Sequence, residues 1–252
     1  MAEVEVRDAA TVVLLRDGAS GIQAWLLTRV KQMVFAAGMS VFPGGRVDAA
    51  DTDLPFASGA ASAVAARFGC DDALARALLG AAVRETFEET GVLLTTPVAD
   101  LSVARTDVEA GRVSFGDLLR TNELTIGAGV LHPWSRWVTP PGEVRRYDTR
   151  FFVGALPDGA EAQDVTSESS EASWVGVGDA LEQAQRGERG LMPPTIMTLA
   201  SLLPFPTVAE ALAVADTRPL DPIQPKVRMD GERILAELPD GSTFELPKSL
   251  FR

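Results

Sequence analysis

Three glutamates lie close together in residues 84–92: Glu85, Glu88 and Glu89. If this stretch is helical, at about 100° per residue, the three carboxylates fall within one narrow arc. Each like-charged pair costs about 0.2–0.5 kcal/mol on an isolated helix. Within this stretch only Arg84, four residues before Glu88, can offset the repulsion by pairing with a carboxylate. A cluster that retains this cost is typical of a cation site, and all-oxygen ligands suit Mg²⁺, Mn²⁺ or Ca²⁺. The opposite side of the helix carries a predicted buried stripe of Leu79, Val83 and Phe87.

The residues around the glutamates decide between a metal site and a merely solvated acidic helix face. The stretch has the form R-E-x-x-E-E-x-G followed by an aliphatic residue, and Phe-Pro-Gly-Gly lies upstream at residues 42–45. Together they resemble the signature of the Nudix hydrolases, which cleave a nucleoside diphosphate linked to another group. That family's box runs glycine, five residues, glutamate, seven residues, then the stretch above. Here Gly45 is followed by five residues and Asp51, one methylene short, and 32 residues then separate Asp51 from Arg84. Asp48 and Asp51 fit either water-mediated metal contacts or a turn and helix-capping pair.

This resemblance implies a fold and a set of roles. The expected fold is α/β, the family's α/β/α sandwich with a mixed β-sheet, with a helical insertion in the box at about residues 52–76. By position, Glu88 and Glu89 match metal ligands, and Glu85 matches a residue that binds metal and sometimes acts as the general base. Arg84 matches a catalytic residue that orients a carboxylate through its bidentate fork. The implied cofactor is Mg²⁺ or Mn²⁺.

The sequence leaves the general base open. Glu85 is one candidate, and some members of the family use a glutamate outside the box. Here those candidates are Glu143, Glu168 and Glu171. Glu171, three residues before Trp174, best matches a common position just ahead of a late strand, and it is therefore included among the predicted catalytic residues.

Composition excludes several other classes of protein. The chain has 252 residues, 46% of them hydrophobic, and can therefore bury a full core. Its one cysteine excludes an internal disulfide and a multi-cysteine zinc site, and any histidine chemistry would have to use His132. The net charge of −12 disfavours binding to nucleic acid or to a membrane surface. Because neither a run of about 18 apolar residues nor a secretion signal is present, we expect a cytoplasmic protein.

Hydrophobic periodicity and turn residues predict the other elements. In the insertion, a helix over residues 57–68 precedes one that begins at Asp71 and runs into the glutamates, with Gly80 as a weak point and Gly91 as its C-terminal cap. Further strands are predicted at 10–16, 22–28, 92–94, 130–138, 149–156 and 172–175. Further helices are predicted at 100–110, 114–121, 178–186, 194–202 and 207–215. Three short strands from residue 226 onward predict a meander. We assign residues 1–206 to a Nudix domain and 207–252 to a C-terminal helix and β extension packed on it.

A second resemblance concerns the substrate. Residues 26–29, 41–48, 136–140 and 146–152 look like the coenzyme A diphosphatase branch of the family, although the motif between 28 and 38 is only partly matched. The implied substrate is coenzyme A or an acyl-coenzyme A, cleaved to 3′,5′-ADP and the (acyl-)4′-phosphopantetheine. Basic side chains could meet its phosphates and a tryptophan could stack on its base. The residues assigned to substrate binding are Arg29, Lys31, Gly44, Gly45, Arg46, Trp137 and Arg146.

Two alternatives remain at this point. One is the same chemistry on ADP-ribose, NADH, a nucleotide sugar or a nucleoside triphosphate. The other is a non-catalytic Nudix module that senses nucleotides or binds a partner, which is disfavoured because Glu85, Glu88 and Glu89 are all present. The C-terminal meander fits either a homodimer interface or a cover over the site.

Overall fold

The structure, a computed structural model, describes residues 4–30, 38–164, 169–231 and 233–246. Its strands are β1 (Val6–Gly18), β2 (Gly21–Arg29), β3 (Met39–Val41), β4 (Gly44–Arg46), β5 (His132–Val138), β6 (Arg146–Ala155), β7 (Ser169–Gly176), β8 (Gly190–Leu191), β9 (Pro222–Ile223), β10 (Lys226–Asp230), β11 (Arg233–Glu237) and β12 (Thr243–Leu246). Its α-helices are α1 (Ala60–Phe68), α2 (Asp72–Thr90), α3 (Arg105–Glu109), α4 (Phe115–Thr121), α5 (Val177–Gln185), α6 (Pro193–Leu202) and α7 (Val208–Ala215). Two 3₁₀ helices, Ala49–Asp53 and Ser102–Ala104, lie in the connections.

A mixed sheet with the strand order β8-β3-β2-β1-β6-β5-β9 forms the centre of the fold. β1 runs parallel to β6, from Val6 beside Arg146 to Leu15 beside Ala155. β1 and β2 form a hairpin that pairs only near its turn, so the two strands separate toward the other end. In the space between them β3 pairs with β2 and β4 pairs with β1, while β7 pairs with the other edge of β2. The segment 42–45 therefore lies in the gap between the two hairpin strands.

The central strand β1 is apolar on both faces because helices cover both. Its residues Ala10, Val12 and Leu14 belong to the core formed with α1 and α2. Val13 and Leu15 belong to the core formed with α5, α6 and α7. This alternation is the two-residue period of a strand buried on both sides. Helices on both faces of a mixed sheet confirm the predicted α/β/α sandwich.

Helix α2 carries the glutamates and is defined by local signals at both ends. Asp71 accepts a hydrogen bond from the backbone N–H of Leu74 (2.8 Å), and Gly91 ends the helix in the left-handed conformation (φ 75°). Both caps and the helix α1 before them were predicted. Gly80 is not a weak point: the helix continues through it, and a Cβ at Gly80 would overlap the carbonyl oxygen of Asp51. The glycine therefore allows α2 to touch the first 3₁₀ helix.

Most other predicted elements are present within a few residues of their predicted bounds, and residues 92–94 are an exception. They are buried, as predicted, but they form no strand.

The C-terminal meander is present as a separate sheet in the order β10-β11-β12. Before it, α7 packs in the second core and β9 pairs with β5, so the main sheet includes residues beyond 206. The domain boundary placed there stays a prediction. None of the described helices is long and apolar enough to cross a membrane.

Candidate active site

Arg84 is the centre of a charged cluster on α2. Its guanidinium binds both carboxylate oxygens of Asp51, from Nε to Oδ1 (2.8 Å) and from Nη2 to Oδ2 (3.0 Å). Its Nη1 donates to Glu85 Oε1 (2.9 Å) and to Glu88 Oε2 (3.3 Å), and Asp48 Oδ2 lies 3.8 Å from Nη2. The pairing of Arg84 with Glu88 was expected from their spacing on the helix. One cation thus faces four carboxylates in the described part of the chain, so the cluster keeps an excess of negative charge.

Asp51 belongs to the framework of this cluster. Its side chain is 1% exposed, and besides Arg84 it accepts a hydrogen bond from the backbone N–H of Asp48 (2.8 Å), as the third residue of a capped 3₁₀ helix. Of the two alternatives left by the sequence, the capping geometry is therefore present for Asp51. A buried carboxylate that receives a bidentate arginine fixes the rotamer of that arginine. Asp51 thus orients Arg84, which in turn holds Glu85 and Glu88.

The Gly44–Gly45 segment positions the other side of the cluster. The backbone N–H of Gly44 donates to Glu89 Oε2 (3.0 Å). A Cβ at Gly45 would overlap the carboxylate of Glu85, so the glycine leaves the space that this carboxylate occupies. The sequence predicted a close backbone approach by these two glycines. The groups they approach are the two glutamates themselves.

Burial changes the proton affinity of the glutamates. The side chains of Glu85 and Glu88 are 17% and 23% exposed. Desolvation raises the pKa of Glu88 to about 7, although the charge of Arg84 opposes the shift, and it raises the pKa of Glu85 for the same reason. Burial alone would lower the pKa of Arg84, but the hydrogen bond to Asp51 and the surrounding carboxylates raise it above its usual range. Arg84 is therefore always charged, while Glu88 titrates near neutral pH.

The donor set of this cluster suits a hard divalent cation. Glu85, Glu88 and Glu89 offer carboxylate oxygens, the ligands that Mg²⁺ prefers. Within the described ranges no group of three or more histidine, cysteine or acidic side chains is already arranged as a metal-binding set. Mg²⁺ does not require one, because it is usually held by one or two carboxylates together with waters and substrate phosphates. The residues therefore fit Mg²⁺ or Mn²⁺ in an open site.

An apolar cavity of about 250 Å³ adjoins the cluster at Gly44, whose N–H holds Glu89. Its sheet wall includes Phe42, Trp137 and Phe151, which belong to the core on the side of α5, α6 and α7. The remaining walls come from the start of α6 and from the C-terminal sheet, whose members in the cavity are Val227 and Ala236. The cavity is smaller than the roughly 300–1,000 Å³ of typical ligand pockets. It has room for part of a ligand.

The predicted substrate residues divide between this cavity and a second pocket. Arg29, Gly44 and Trp137 line the apolar cavity, and Trp137 is only 4% exposed, so little of its indole is available to a ligand. Arg46 and Arg146 line a polar pocket of about 580 Å³. Gly45 lies beneath the carboxylate of Glu85. The assignment of Lys31 falls outside the described residues.

The candidates for the base are in different places. Glu85 is part of the cluster, whereas Glu143 lines the apolar cavity, where burial raises its pKa. Glu171 lies in β7 opposite Thr28, two residues from the pair of Leu26 and Ser173, and Leu26 belongs to the core formed with α5, α6 and α7. By strand alternation Glu171 shares the sheet face of Leu26, and its catalytic role stays a prediction. Glu168 falls outside the described residues.

The single histidine and the single cysteine lie apart from the cluster. His132 is in β5, with Nδ1 3.6 Å from Asp216. Cys70 is half-buried, and this burial raises the pKa of its thiol, so the sulfur packs as a small apolar group.

Sequence reasoning missed the apolar cavity and the grouping of arginines in the polar pocket. The cavity could not be found because its walls come from segments as far apart in the sequence as Thr11 and Ala236. A signal for the arginine grouping was present in the adjacent Arg145 and Arg146, which precede a predicted strand. For Asp51, the signal was its spacing from Gly45, with five residues between the two.

Comparison with known proteins agrees with this geometry. The model of the NUDT19 Nudix domain family matches residues 70–202, more than half of the chain. The chain belongs to this family of Nudix hydrolases. A Nudix hydrolase from Alicyclobacillus acidocaldarius has a similar crystal structure, with a TM-score of 0.66 and 30% identity over 83% of this chain and 96% of that one. These two findings identify the cluster on α2 as part of a Nudix hydrolase fold.

Two curated Nudix relatives are similar over most of the chain. A nudix hydrolase of Caenorhabditis elegans is 29% identical over 199 residues, which cover 78% of this chain and 60% of that protein. The acyl-coenzyme A diphosphatase NUDT19 of Xenopus laevis is 24% identical over 92% of this chain and 72% of that protein. This Nudix hydrolase therefore spans less than two thirds of the length of the first relative.

Proposed function

We propose that this Nudix hydrolase cleaves the diphosphate bond of coenzyme A or an acyl-coenzyme A in a reaction that depends on Mg²⁺ or Mn²⁺. The products are 3′,5′-ADP and 4′-phosphopantetheine or its acylated form. The observation that carries the proposal is the cluster in which Arg84 faces Asp48, Asp51, Glu85 and Glu88, with Glu89 held by the loop that opens into the cavity. Such an excess of carboxylates requires a cation, and a diphosphate requires one as well.

Glu85, Glu88 and Glu89 would hold the cation. When bound, it supplies neutralisation of phosphate charge and a water of lowered pKa. The protein's own contribution is orientation: Asp51 fixes Arg84, Arg84 restrains Glu85 and Glu88, and the Gly44 N–H restrains Glu89. Glu85 is the base that fits this arrangement best, because it lies in the cluster and burial raises its pKa toward the working range of a general base.

The choice of coenzyme A is supported by the two unlike pockets beside the cluster. An apolar cavity suits the end of a pantetheine arm or a short acyl chain, and a polar pocket with arginines suits phosphates. Two of the relatives are named acyl-coenzyme A diphosphatases and are 24% and 28% identical to this chain. We further propose that the protein binds a small-molecule nucleotide and neither nucleic acid nor a membrane surface. We propose a cytoplasmic location and a homodimer as the possible oligomeric state.

The test is hydrolysis of a panel of substrates with Mg²⁺ or Mn²⁺, with products identified by mass. The panel contains coenzyme A, acetyl-coenzyme A, ADP-ribose, NADH and dGTP. We expect 3′,5′-ADP and 4′-phosphopantetheine from coenzyme A. Cleavage of a different member alone would remove the substrate claim, and no cleavage with either metal would favour a nucleotide-sensing module.

The metal carboxylates are tested in the same assay. Glu89→Gln is expected to lower turnover at least about 10²-fold with little change in melting temperature, because a partly exposed carboxylate is not core. The control is Glu182→Gln in α5, an exposed helical glutamate that should keep wild-type turnover. Wild-type turnover in Glu89→Gln would contradict its assignment.

A further inference from the structure

Four arginines, Arg7, Arg46, Arg145 and Arg146, line the polar pocket of about 580 Å³ together with a single acidic residue, Glu5. Strand pairing places them at one end of the sheet, because Val6 of β1 lies beside Arg146 of β6 and Arg7 lies beside Tyr147. Arg46, at the end of β4, lies beside Ala9 on the other edge of β1. A chain with 35 acidic and 23 basic residues thus gathers four of its cations in one pocket.

Three of these arginines, Arg7, Arg46 and Arg145, form no ion pair within 4.0 Å with a described residue, although Glu5 also lines the pocket. Arg146 is buried and donates through Nε to the carbonyl oxygen of Thr139 (3.2 Å). Guanidinium groups that share a pocket repel one another, and a bound anion relieves this repulsion. The planar fork of arginine matches the oxygens of a phosphate.

The pocket is adjacent to the catalytic cluster. The carbonyl oxygen of Arg46 accepts a hydrogen bond from Nη2 of Arg84 (3.1 Å), and the next residue toward the cavity is Gly45, beneath Glu85. Tyr147 lines both the arginine pocket and the apolar cavity. The diphosphate site therefore lies between two pockets of opposite character. A ligand that fills all three sites has a diphosphate in the middle, an apolar arm on one side and a further anionic group on the other.

We infer that the arginine pocket binds a phosphate monoester carried by the substrate on the nucleoside side of the scissile diphosphate. The inference rests on the proposed function. It adds a source of specificity: nucleoside diphosphate conjugates with such a phosphate are preferred over those without it. Coenzyme A carries this group as its 3′-phosphate, whereas ADP-ribose and NADH have none.

The test compares coenzyme A with coenzyme A that lacks the 3′-phosphate. We expect the wild type to prefer the phosphorylated form in kcat/KM by at least about 10-fold. Arg145→Ala and Arg7→Ala should each raise KM for coenzyme A by about 10-fold while kcat and the values for the dephosphorylated form change little. Arg145→Lys should restore part of the preference. Arg186→Ala, which removes an exposed arginine at the end of α5, is the control and should preserve the preference.

A second measurement separates this inference from the proposed function. Calorimetry without metal compares the binding of 3′,5′-ADP, 5′-AMP and inorganic phosphate. Tighter binding of 3′,5′-ADP that depends on Arg145 supports the inference even if no substrate is hydrolysed. Equal kcat/KM for the two forms of coenzyme A in the wild type would overturn the inference and leave the hydrolase activity intact. Inorganic phosphate that binds as tightly as 3′,5′-ADP would also overturn it, because the pocket would then serve a free anion.

Discussion

Replacing Glu88 by glutamine should stabilise the metal-free protein while it impairs catalysis. Four carboxylates surround Arg84, and Glu88 is the one whose pKa is raised to about 7, mainly by desolvation. At pH 8 the folded protein must therefore keep a charge that its environment disfavours. Glutamine has the same shape, and it removes that charge.

The magnitude follows from the difference in pKa between the folded and unfolded states. A shift from the ordinary 4.5 to about 7 corresponds to roughly 3 kcal/mol at full strength. Because the side chain is 23% exposed and partly screened, we expect a gain of about 2 kcal/mol. For a chain of this size that is a rise of about 4–8 °C in melting temperature.

The sign of the pH dependence follows from the same shift. Between about pH 4.5 and 7 the folded state binds more protons at Glu88 than the unfolded state does. The contribution of Glu88 to the free energy of unfolding therefore decreases as pH rises through this interval, and the whole penalty is present above pH 7. In Glu88→Gln this decrease should be absent.

The assay is thermal unfolding in EDTA at pH 5 and pH 8, repeated with saturating Mg²⁺. The matched control is Glu182→Gln, which also lies four residues from an arginine on a helix but is 68% exposed. It should change the melting temperature by less than about 2 °C at either pH. Mg²⁺ should stabilise the wild type more than Glu88→Gln. A melting temperature for Glu88→Gln at or below that of the wild type at pH 8 in EDTA would refute the reasoning.

Two further variants test how the cluster is positioned. Gly45→Ala places a methyl group where the Glu85 carboxylate lies, so turnover should fall at least about 10-fold. The control is Gly178→Ala, whose methyl meets only Leu203 at 3.9 Å and which should keep its activity. Equal turnover in the two variants would contradict the close approach of Gly45 to Glu85. The lysine of Arg84→Lys cannot make the two parallel hydrogen bonds to buried Asp51. The free energy of unfolding, measured by urea titration, should therefore fall by about 2 kcal/mol. An unchanged urea midpoint would argue against a stabilising contact between Arg84 and Asp51.

The parts of the fold that depend on local chemistry could be predicted from the sequence. Asp71 begins α2 because its side chain accepts a backbone hydrogen bond at the N-terminus of the helix, and Gly91 ends α2 because it adopts the left-handed conformation. Neither cap needs a contact with a distant residue. The alternation of β1 and the two turns of the C-terminal meander are local in the same sense. The spacing of the glutamates likewise fixed their common face, since one helix carries all three.

The parts of the site that depend on distant partners could not be predicted in this way. The bond from Gly44 to Glu89 joins residues 45 positions apart, and periodicity says nothing about which carboxylate a loop will touch. Residues 92–94 have the composition of a strand, but their burial comes from packing, and no strand in the described part of the chain pairs with them. Glu171 was chosen by its place before a late strand, whereas its partner Thr28 and the sheet face that it shares with Leu26 follow from the pairing of β7 with the distant β2.

The insertion shows why the two halves of the box can be far apart in sequence. Lengthening a loop from seven to 32 residues costs only about 1.3 kcal/mol of closure entropy if its ends still meet. They meet here because Gly80 lets α2 touch the carbonyl of Asp51, and because the side chain of Arg76 binds the carbonyl oxygens of Thr52 (2.9 Å) and Leu54 (3.2 Å). The bidentate contact from Arg84 to Asp51 completes the closure. Arg84 both closes this loop and binds two of the glutamates. The insertion therefore extends α2 toward its N-terminus and leaves the carboxylates in place.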